Sequence, residues 1–343
     1  KYWHELNLDP ISFGPKVRHH ADLAFAQLTH LAEMADIDED VIFSVPGNFS
    51  QKQLSILLGL AHQTSFTPIG FVNSALVDSI IAAYKQRVLH VDIQLHQVLI
   101  TLLVKDETHF KVKNTVQIPG IGKQNFMNLM MQVATDLFID QCRFDPQHDA
   151  KSEQELYNAL LAWLSNYEEG KTIQLELKSG NSGFLVKLPW EHLTEVLDKH
   201  YKKIKEQISS LTASGKGYLI LSEELSRLPG FLPTMTGHDY EIVPSNQVIE
   251  SCLNYQKLIA AEQGNLMLVD KLAISDLGIN DPTTLSEKLS SDGATHLLLG
   301  NEAIQLNRVV LRNSSKETMA TETSLDINCS REGLPEKLGT IDR

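Results

Sequence analysis

The sequence predicts an α/β fold with a parallel or mixed sheet, followed by a smaller β-rich region. Three observations carry this expectation. Short β-prone runs alternate with helical patterns through the first part of the chain, the order that packs helices on a sheet. RVLHVDIQLHQVLITLL at 87–103 reads as a strand, a short turn and a second strand. After Gly264 the texture changes to short β-runs separated by polar turns, which puts a domain boundary near residue 263.

Each element follows from its pattern. Residues 21–35 carry apolar positions at helical spacing, and VIFSVP at 41–46 is a β-rich run ended by proline. GNFS leads into the helix QKQLSILLGLAHQ, for which Ser50 is the N-cap. Strand IGFVN and helix ALVDSIIAAY follow. The 87–103 hairpin and a third run, HFKVKNTV, form a meander, after which PGIG precedes a long helix over about 124–138. A helix over 152–166, strands TIQLEL and GFLVKL, and a helix over 191–211 come next. Strand GYLILS, a turn broken by proline and glycine, EIVPSN and a helix over 247–262 lead to the β-runs LMLVD, THLLLG, RVVLR and SLDINC.

Composition narrows the function. The 343 residues are 42% hydrophobic and 21% charged, enough to bury ordinary cores. A formal charge of −13 argues against a nucleic-acid partner, which needs clustered Lys and Arg. Cys142, Cys252 and Cys329 are odd in number, far apart and without CxxC spacing, so a reducing cytoplasm fits better than a disulfide framework. No apolar run approaches the ~20 residues of a membrane span, and the start KYWHELNLDP lacks the regions of a signal peptide. The histidines show no HExxH spacing, and no Gly-x-Ser-x-Gly elbow or Walker loop appears.

Taken in order, several segments resemble the seventy-kilodalton heat-shock chaperones, whose ATPase lobes share the actin-like, ribonuclease-H-like fold. VIFSVPGNFSQKQ is similar to a strand-proline-loop-helix segment of the first lobe, and RVLHVDIQLHQVLITLL to the second phosphate hairpin. GIGKQNFMNLMMQVATDLF resembles the glycine loop and helix that follow it, and VKLPWEHLTEVLDKH a later segment of the same lobe. YLILSEELSRLPGF occupies the place of the adenosine-side glycine loop, with Arg227 and Pro229 matching. LMLVDKLAISDLGI looks like the interdomain linker and first strand of the peptide-binding domain, and LLLGNEAIQL and EKLGTI like two later strands.

The resemblance implies a partial first lobe over 1–85, without its first strand pair and phosphate loop, a second lobe over 86–245, a closing helix over 246–263 and a β-rich domain over 264–343. It also implies a degenerate nucleotide site. Gln94, Leu95, His96 and Gln97 stand where the family has three glycines and a threonine. Only a backbone without Cβ brings successive N–H groups up to phosphate oxygens, so Leu95 and His96 would crowd that space. The family's second aspartate is Leu99, no Glu occurs between Ala61 and Asp106, and Glu223 and Glu224 replace paired glycines. Asn158 and Leu161 stand among residues that replace the adenine-contacting Glu and Lys.

Three residues remain as cofactor-binding candidates: Asp92, Gly122 and Arg227. Asp92 is read as a polar strand-end residue bonding a turn amide, the alternative being a ligand to metal-bound water. Gly120 and Gly122 keep a glycine loop before a helix N-terminus, an arrangement suited to anions and equally to a plain tight turn. His90, Asp92 and His96 are weighed as metal ligands and set aside, because His96 lies past the turn.

The expectation is a chaperone-like protein acting on protein or peptide clients with weak or lost ATP binding and no cofactor. The alternative is an active ATPase using Mg·ATP in a rearranged site. Leu266, Met267, Leu268 and Val269 keep the linker's apolar character and are expected to hold one fixed arrangement. The β-rich domain is expected to bury Leu297, Leu299 and Ile304 against the lobes or against a second copy in a homodimer.

Overall fold

Apolar residues at 21, 24, 28 and 32 turn one stripe of helix α1 (His20–Ala35) inward. The computed structural model describes residues 2–12, 17–165, 170–179, 182–212, 217–261 and 266–277, and the backbone of 296–299, 302–305, 310–313, 316–319, 324–328 and 337–342. Helix α1 opens where Asp22 accepts the backbone N–H groups of Arg18 and His19, and it stops at Asp36 in a left-handed conformation. Strand β1 (Asp40–Val45) and helix α2 (Gln51–Ala61) follow. Ser50 caps α2 as expected. Its Oγ accepts from Gln53 N–H at 3.3 Å, and Gln53 Oε1 accepts from Ser50 N–H at 2.9 Å, the reciprocal capping box. Strand β2 (Thr67–Asn73) lies parallel to β1, with Leu28, Val45, Leu57, Phe66 and Phe71 in the shared core.

Helix α3 (Ser74–Asp78) is shorter than the expected 75–84. Ser79 leaves helical backbone angles, a 3₁₀ turn takes over at Ile80–Ala82, and the Asp78 side chain is held by His90. The meander then runs as β3 (Arg87–Ile93), β4 (Gln97–Lys105) and β5 (His109–Pro119), each antiparallel to its neighbour. Seven consecutive residues of β4, Gln97 to Leu103, are buried, so this strand is covered on both faces.

Helices α4 (Lys123–Cys142) and α5 (Ala150–Ser165), the hairpin of β6 (Ile173–Ser179) and β7 (Ser182–Leu188), and helix α6 (Trp190–Thr212) form the crossover back to the sheet. Strand β8 (Tyr218–Ser222) then pairs parallel with β3. After the short helices α7 (Glu223–Ser226) and α8 (Phe231–Thr234), β9 (Tyr240–Val243) pairs parallel with β8. A mixed sheet results, three antiparallel strands continued by two parallel ones. Its core joins Leu89, Ile100, Leu219 and Leu221 to Phe126, Phe138, Leu156, Tyr201 and Ile204 of the helices.

The expected closing helix is two pieces, α9 (Gln247–Asn254) and α10 (Gln256–Ile259). Tyr255 breaks it with φ −108° and ψ 19°, and its hydroxyl donates to the Leu277 carbonyl at 3.2 Å.

The stretch expected to begin the C-terminal domain is hydrogen-bonded to both sheets instead. Strand β10 (Leu268–Val269) runs parallel to β2, and β11 (Lys271–Ala273) runs antiparallel to β5. Val112 N–H donates to the Asp270 carbonyl between them at 2.9 Å. Helix α11 (Ile274–Leu277) closes this unit, which extends from Lys1 to Gly278.

The second unit covers Ile279–Arg343. Its described backbone forms three antiparallel pairs: β12 (His296–Leu299) with β13 (Glu302–Gln305), β14 (Val310–Asn313) with β15 (Lys316–Met319), and β16 (Ser324–Asn328) with β17 (Lys337–Asp342). The side chains of Leu297, Leu299 and Ile304 lie outside the described residues, as does Cys329.

Candidate functional site

The turn between β3 and β4 organises the candidate site. Gln94 N–H donates to the Gln97 carbonyl at 2.8 Å, which leaves Leu95 and His96 at its tip. The outward carbonyls of the turn meet the start of α4. Gln94 and Leu95 accept from the N–H groups of Lys123 and Gln124 at 2.9 and 3.0 Å, and His96 accepts from Gly120 N–H at 3.1 Å. A helix N-terminus attracts anions through its unpaired N–H groups. Here two of those groups are already committed to protein carbonyls.

This contact explains Gly122. A Cβ on that residue would lie 2.4 Å from Gln97 N and 2.5 Å from the His96 carbonyl carbon, so glycine lets the turn pack on the loop. Gly120 sits at φ 72°, the left-handed region that glycine adopts freely. Both glycines therefore have a sufficient role in turn packing.

Asp92 is half-buried on β3, opposite Leu99. The expected bond to a turn amide is absent among the described residues, because Gln94 N–H is taken by Gln97. His90, Asp92 and His96 do not converge. His90 Nε2 turns instead to Asp78 Oδ2 at 3.1 Å, and among the described residues no group of three or more His, Cys, Asp or Glu is placed to hold a metal ion.

Two cavities flank the turn, and half-exposed Leu95 forms part of the wall of each. The first, about 420 Å³, lies between the turn, the N-terminal residues Trp3 and His4, and the end of β1. The second, about 450 Å³, lies between α4, α5 and α7 and includes Lys123, Tyr157, Leu161, Glu224 and Arg227. Leu161 thus faces a cavity, whereas the Asn158 side chain accepts a hydrogen bond from Gln154 on the exposed side of α5.

The charges around the second cavity are paired. Arg227 donates to Glu223 Oε1 at 2.6 Å, and the other Glu223 oxygen accepts from Ser245 Oγ and N–H at 2.8 and 3.1 Å. These bonds from Ser245, aided by the Arg227 charge, hold the Glu223 carboxyl below its ordinary value. Glu224 forms an ion pair with Lys123 that links α7 to α4. The two carboxylates are therefore not simply opposed to an incoming polyanion, since each has a cation beside it.

Several partners here escape sequence reasoning. The pairing of Lys123 with Glu224 joins residues about a hundred positions apart, and nothing local announces it. The two amides bracketing the turn are the legible part: Gln97 Nε2 donates to Gln94 Oε1 at 2.8 Å, and Asn48 Nδ2 approaches the same oxygen at 3.5 Å. Neither a protein-family model nor a curated protein matches this chain.

Proposed function

We propose that the chain is a divergent member of the seventy-kilodalton heat-shock family, built on an actin-like, ribonuclease-H-like scaffold and working through protein or peptide contacts with ATP binding weak or lost. The mixed sheet, an antiparallel meander continued by two parallel strands through a helical crossover, supports the scaffold assignment. One observation carries the loss of ATP binding: the 94–97 turn takes up the N–H groups of Lys123 and Gln124, with Leu95 and His96 at its tip. Phosphate oxygens need free, convergent N–H groups; those of Lys123 and Gln124 are already taken, and the turn lacks the glycine backbone that would present its own.

The 266–273 segment supports the same reading. Bonded to β2 and β5 together, it forms a fixed strap across two sheets. A ligand shifts a two-state element only through a difference in affinity for the two states, so without nucleotide the strap stays where it is. The partners are protein or peptide clients, or a second copy through the C-terminal hairpins, and the compartment is the cytoplasm. Among the described residues no helix is long and apolar enough to cross a membrane.

The alternative, an active ATPase, draws on the cavity beside Arg227 and on Asp92, which has no hydrogen-bond partner among the described residues. Fluorescence anisotropy of a labelled extended apolar peptide separates the two. The expected result is binding that Mg·ATP leaves unchanged. Release or acceleration of exchange by Mg·ATP would favour the alternative, and absence of peptide binding would remove the peptide-client part of the proposal.

A further inference from the structure

The six-stranded sheet ends at β9, and among the described residues no strand pairs with its far side. Its one neighbour is β8, which lies parallel to it. Leu219 N–H donates to the Asp239 carbonyl at 2.9 Å. Bonding in a parallel ladder alternates along each strand, so Asp239, Glu241 and Val243 turn their backbone groups toward β8. The N–H and C=O groups of Tyr240 and Ile242 therefore turn outward.

These residues are open to solvent. Tyr240 and Ile242 are 39% and 38% exposed, and Glu241 between them is exposed as well. The strand itself is held in place: Val243 is buried, and Ser245 just beyond it donates to Glu223 of α7. A fixed strand with outward donors and acceptors is a template for one more strand.

The side chains define the strand that fits. Successive residues of a strand face opposite sides of the sheet, so Tyr240 and Ile242 form an apolar pair on one side, and Asp239 and Glu241 place two carboxylates on the other. Neither carboxylate has an ion-pair partner among the described residues, and Glu241 accepts from the Tyr218 hydroxyl at 3.4 Å. A second copy of the chain is a poor match. The two-fold pairing that sets Tyr240 opposite Ile242 also sets Glu241 opposite its own counterpart, and like charges directly opposite are destabilising. Apolar and basic residues in alternation match both sides of the edge.

We propose that the outer edge of β9 binds an extended segment of another polypeptide in which apolar residues alternate with Lys or Arg. The segment's backbone pairs with Tyr240 and Ile242, its apolar side chains cover those two residues, and its cations meet Asp239 and Glu241. The inference rests on the reading of this chain as one that works through protein or peptide contacts, and it gives that contact a place; the state of the nucleotide site does not enter.

The test uses the full chain and three capped hexapeptides: alternating Lys and Val, alternating Glu and Val, and the Lys–Val peptide with its valines N-methylated. Amide hydrogen exchange, read residue by residue, reports the site. With the Lys–Val peptide at millimolar concentration, exchange at Tyr240 and Ile242 is expected to slow at least fivefold, while Glu241 and Val243, already bonded to β8, change little. The Glu–Val peptide should bind at least tenfold more weakly. N-methylation should also weaken binding at least tenfold; because it leaves the charge intact, it separates strand pairing from general attraction to a chain of formal charge −13. Proline is tolerated on an edge strand where its missing N–H faces solvent, so Ile242→Pro should abolish binding without breaking the β8 ladder. Glu241→Lys, an exposed substitution that stands in if Ile242→Pro does not fold, should weaken the Lys–Val peptide at least fivefold and strengthen the Glu–Val peptide. No slowing at Tyr240 and Ile242 would overturn the proposal, as would equal binding of the N-methylated peptide or of folded variants. Peptide binding that protects other residues instead would overturn this site and leave the peptide-contact reading standing. Self-association abolished by Ile242→Pro would assign the edge to a second copy and overturn the proposal.

Discussion

Asp78 Oδ2 lies 3.1 Å from His90 Nε2, and both residues are buried, one ending α3 and the other in the middle of β3. Burial disfavours the charged imidazole, yet the Asp78 hydrogen bond and charge, with Asp92 adding to them, outweigh that cost and raise the His90 pKa above its ordinary value. The folded chain therefore holds this proton more tightly than the unfolded one. The stabilisation is complete below the unfolded value of about 6.5 and is lost as pH rises through the higher folded value. Asp78→Asn should cost roughly 2 kcal/mol near pH 6 and progressively less at alkaline pH. Urea unfolding of both proteins across this range checks the claim; a difference independent of pH would refute it.

Cys252 feels the same carboxylate. Burial, with the Asp78 charge adding to it, pushes its thiol up to about 11. Only the thiolate reacts, so at pH 8 Cys252 should be alkylated on the order of a hundredfold more slowly than free cysteine. The measurement needs Cys142→Ser and Cys329→Ser to isolate the site. Adding Asp78→Asn should speed the reaction, and an unchanged rate would mean that Asp78 does not act on the thiol.

Gly122 and Gly59 should respond to alanine in opposite directions. A Cβ at 122 meets the backbone of His96 and Gln97 and should cost about 1–3 kcal/mol through overpacking. Gly59 is an exposed residue within α2, and a methyl group there would meet nothing within 4 Å, so Gly59→Ala should stabilise by about 0.5–1 kcal/mol. Thermal melts of the two variants decide this, and a neutral Gly122→Ala would mean that the turn does not press on the loop.

Tyr201 is fully buried, stacks on Phe126 at 5.5 Å and donates its hydroxyl to the Pro229 carbonyl at 2.9 Å. Tyr201→Phe keeps the ring and deletes the donor to the turn that follows Arg227. A loss of about 1–2 kcal/mol is expected in denaturant unfolding. No loss would show that water replaces the hydroxyl at no cost.

Local pattern makes much of this fold legible. The apolar stripe of α1, the Ser50 cap and the β3–β4–β5 meander are properties of short windows, and the structure has them where those windows lie. Elements that depend on distant partners are not legible. The 75–84 helical pattern is cut short where Asp78 meets His90, and the 247–262 pattern is broken at Tyr255, whose hydroxyl reaches Leu277. The apolar run at 266–269 gives no hint of which sheet edges it joins. Around the candidate site, the glycine-free turn of Gln94 to Gln97 is visible in the sequence. The use of those carbonyls to occupy the start of α4 is not, because it depends on how the turn and the helix meet in space.

The most direct test of the central claim, that the turn has closed the nucleotide site, is the melting temperature with and without Mg·ATP at about 5 mM, against an ionic-strength-matched magnesium control. A ligand present at a hundred times its dissociation constant adds about 2.7 kcal/mol to stability, equivalent to several degrees in a chain of this size. With the site closed, no shift beyond the control is expected. A shift of several degrees specific to Mg·ATP, abolished by Asp92→Asn or Arg227→Ala, would contradict the claim.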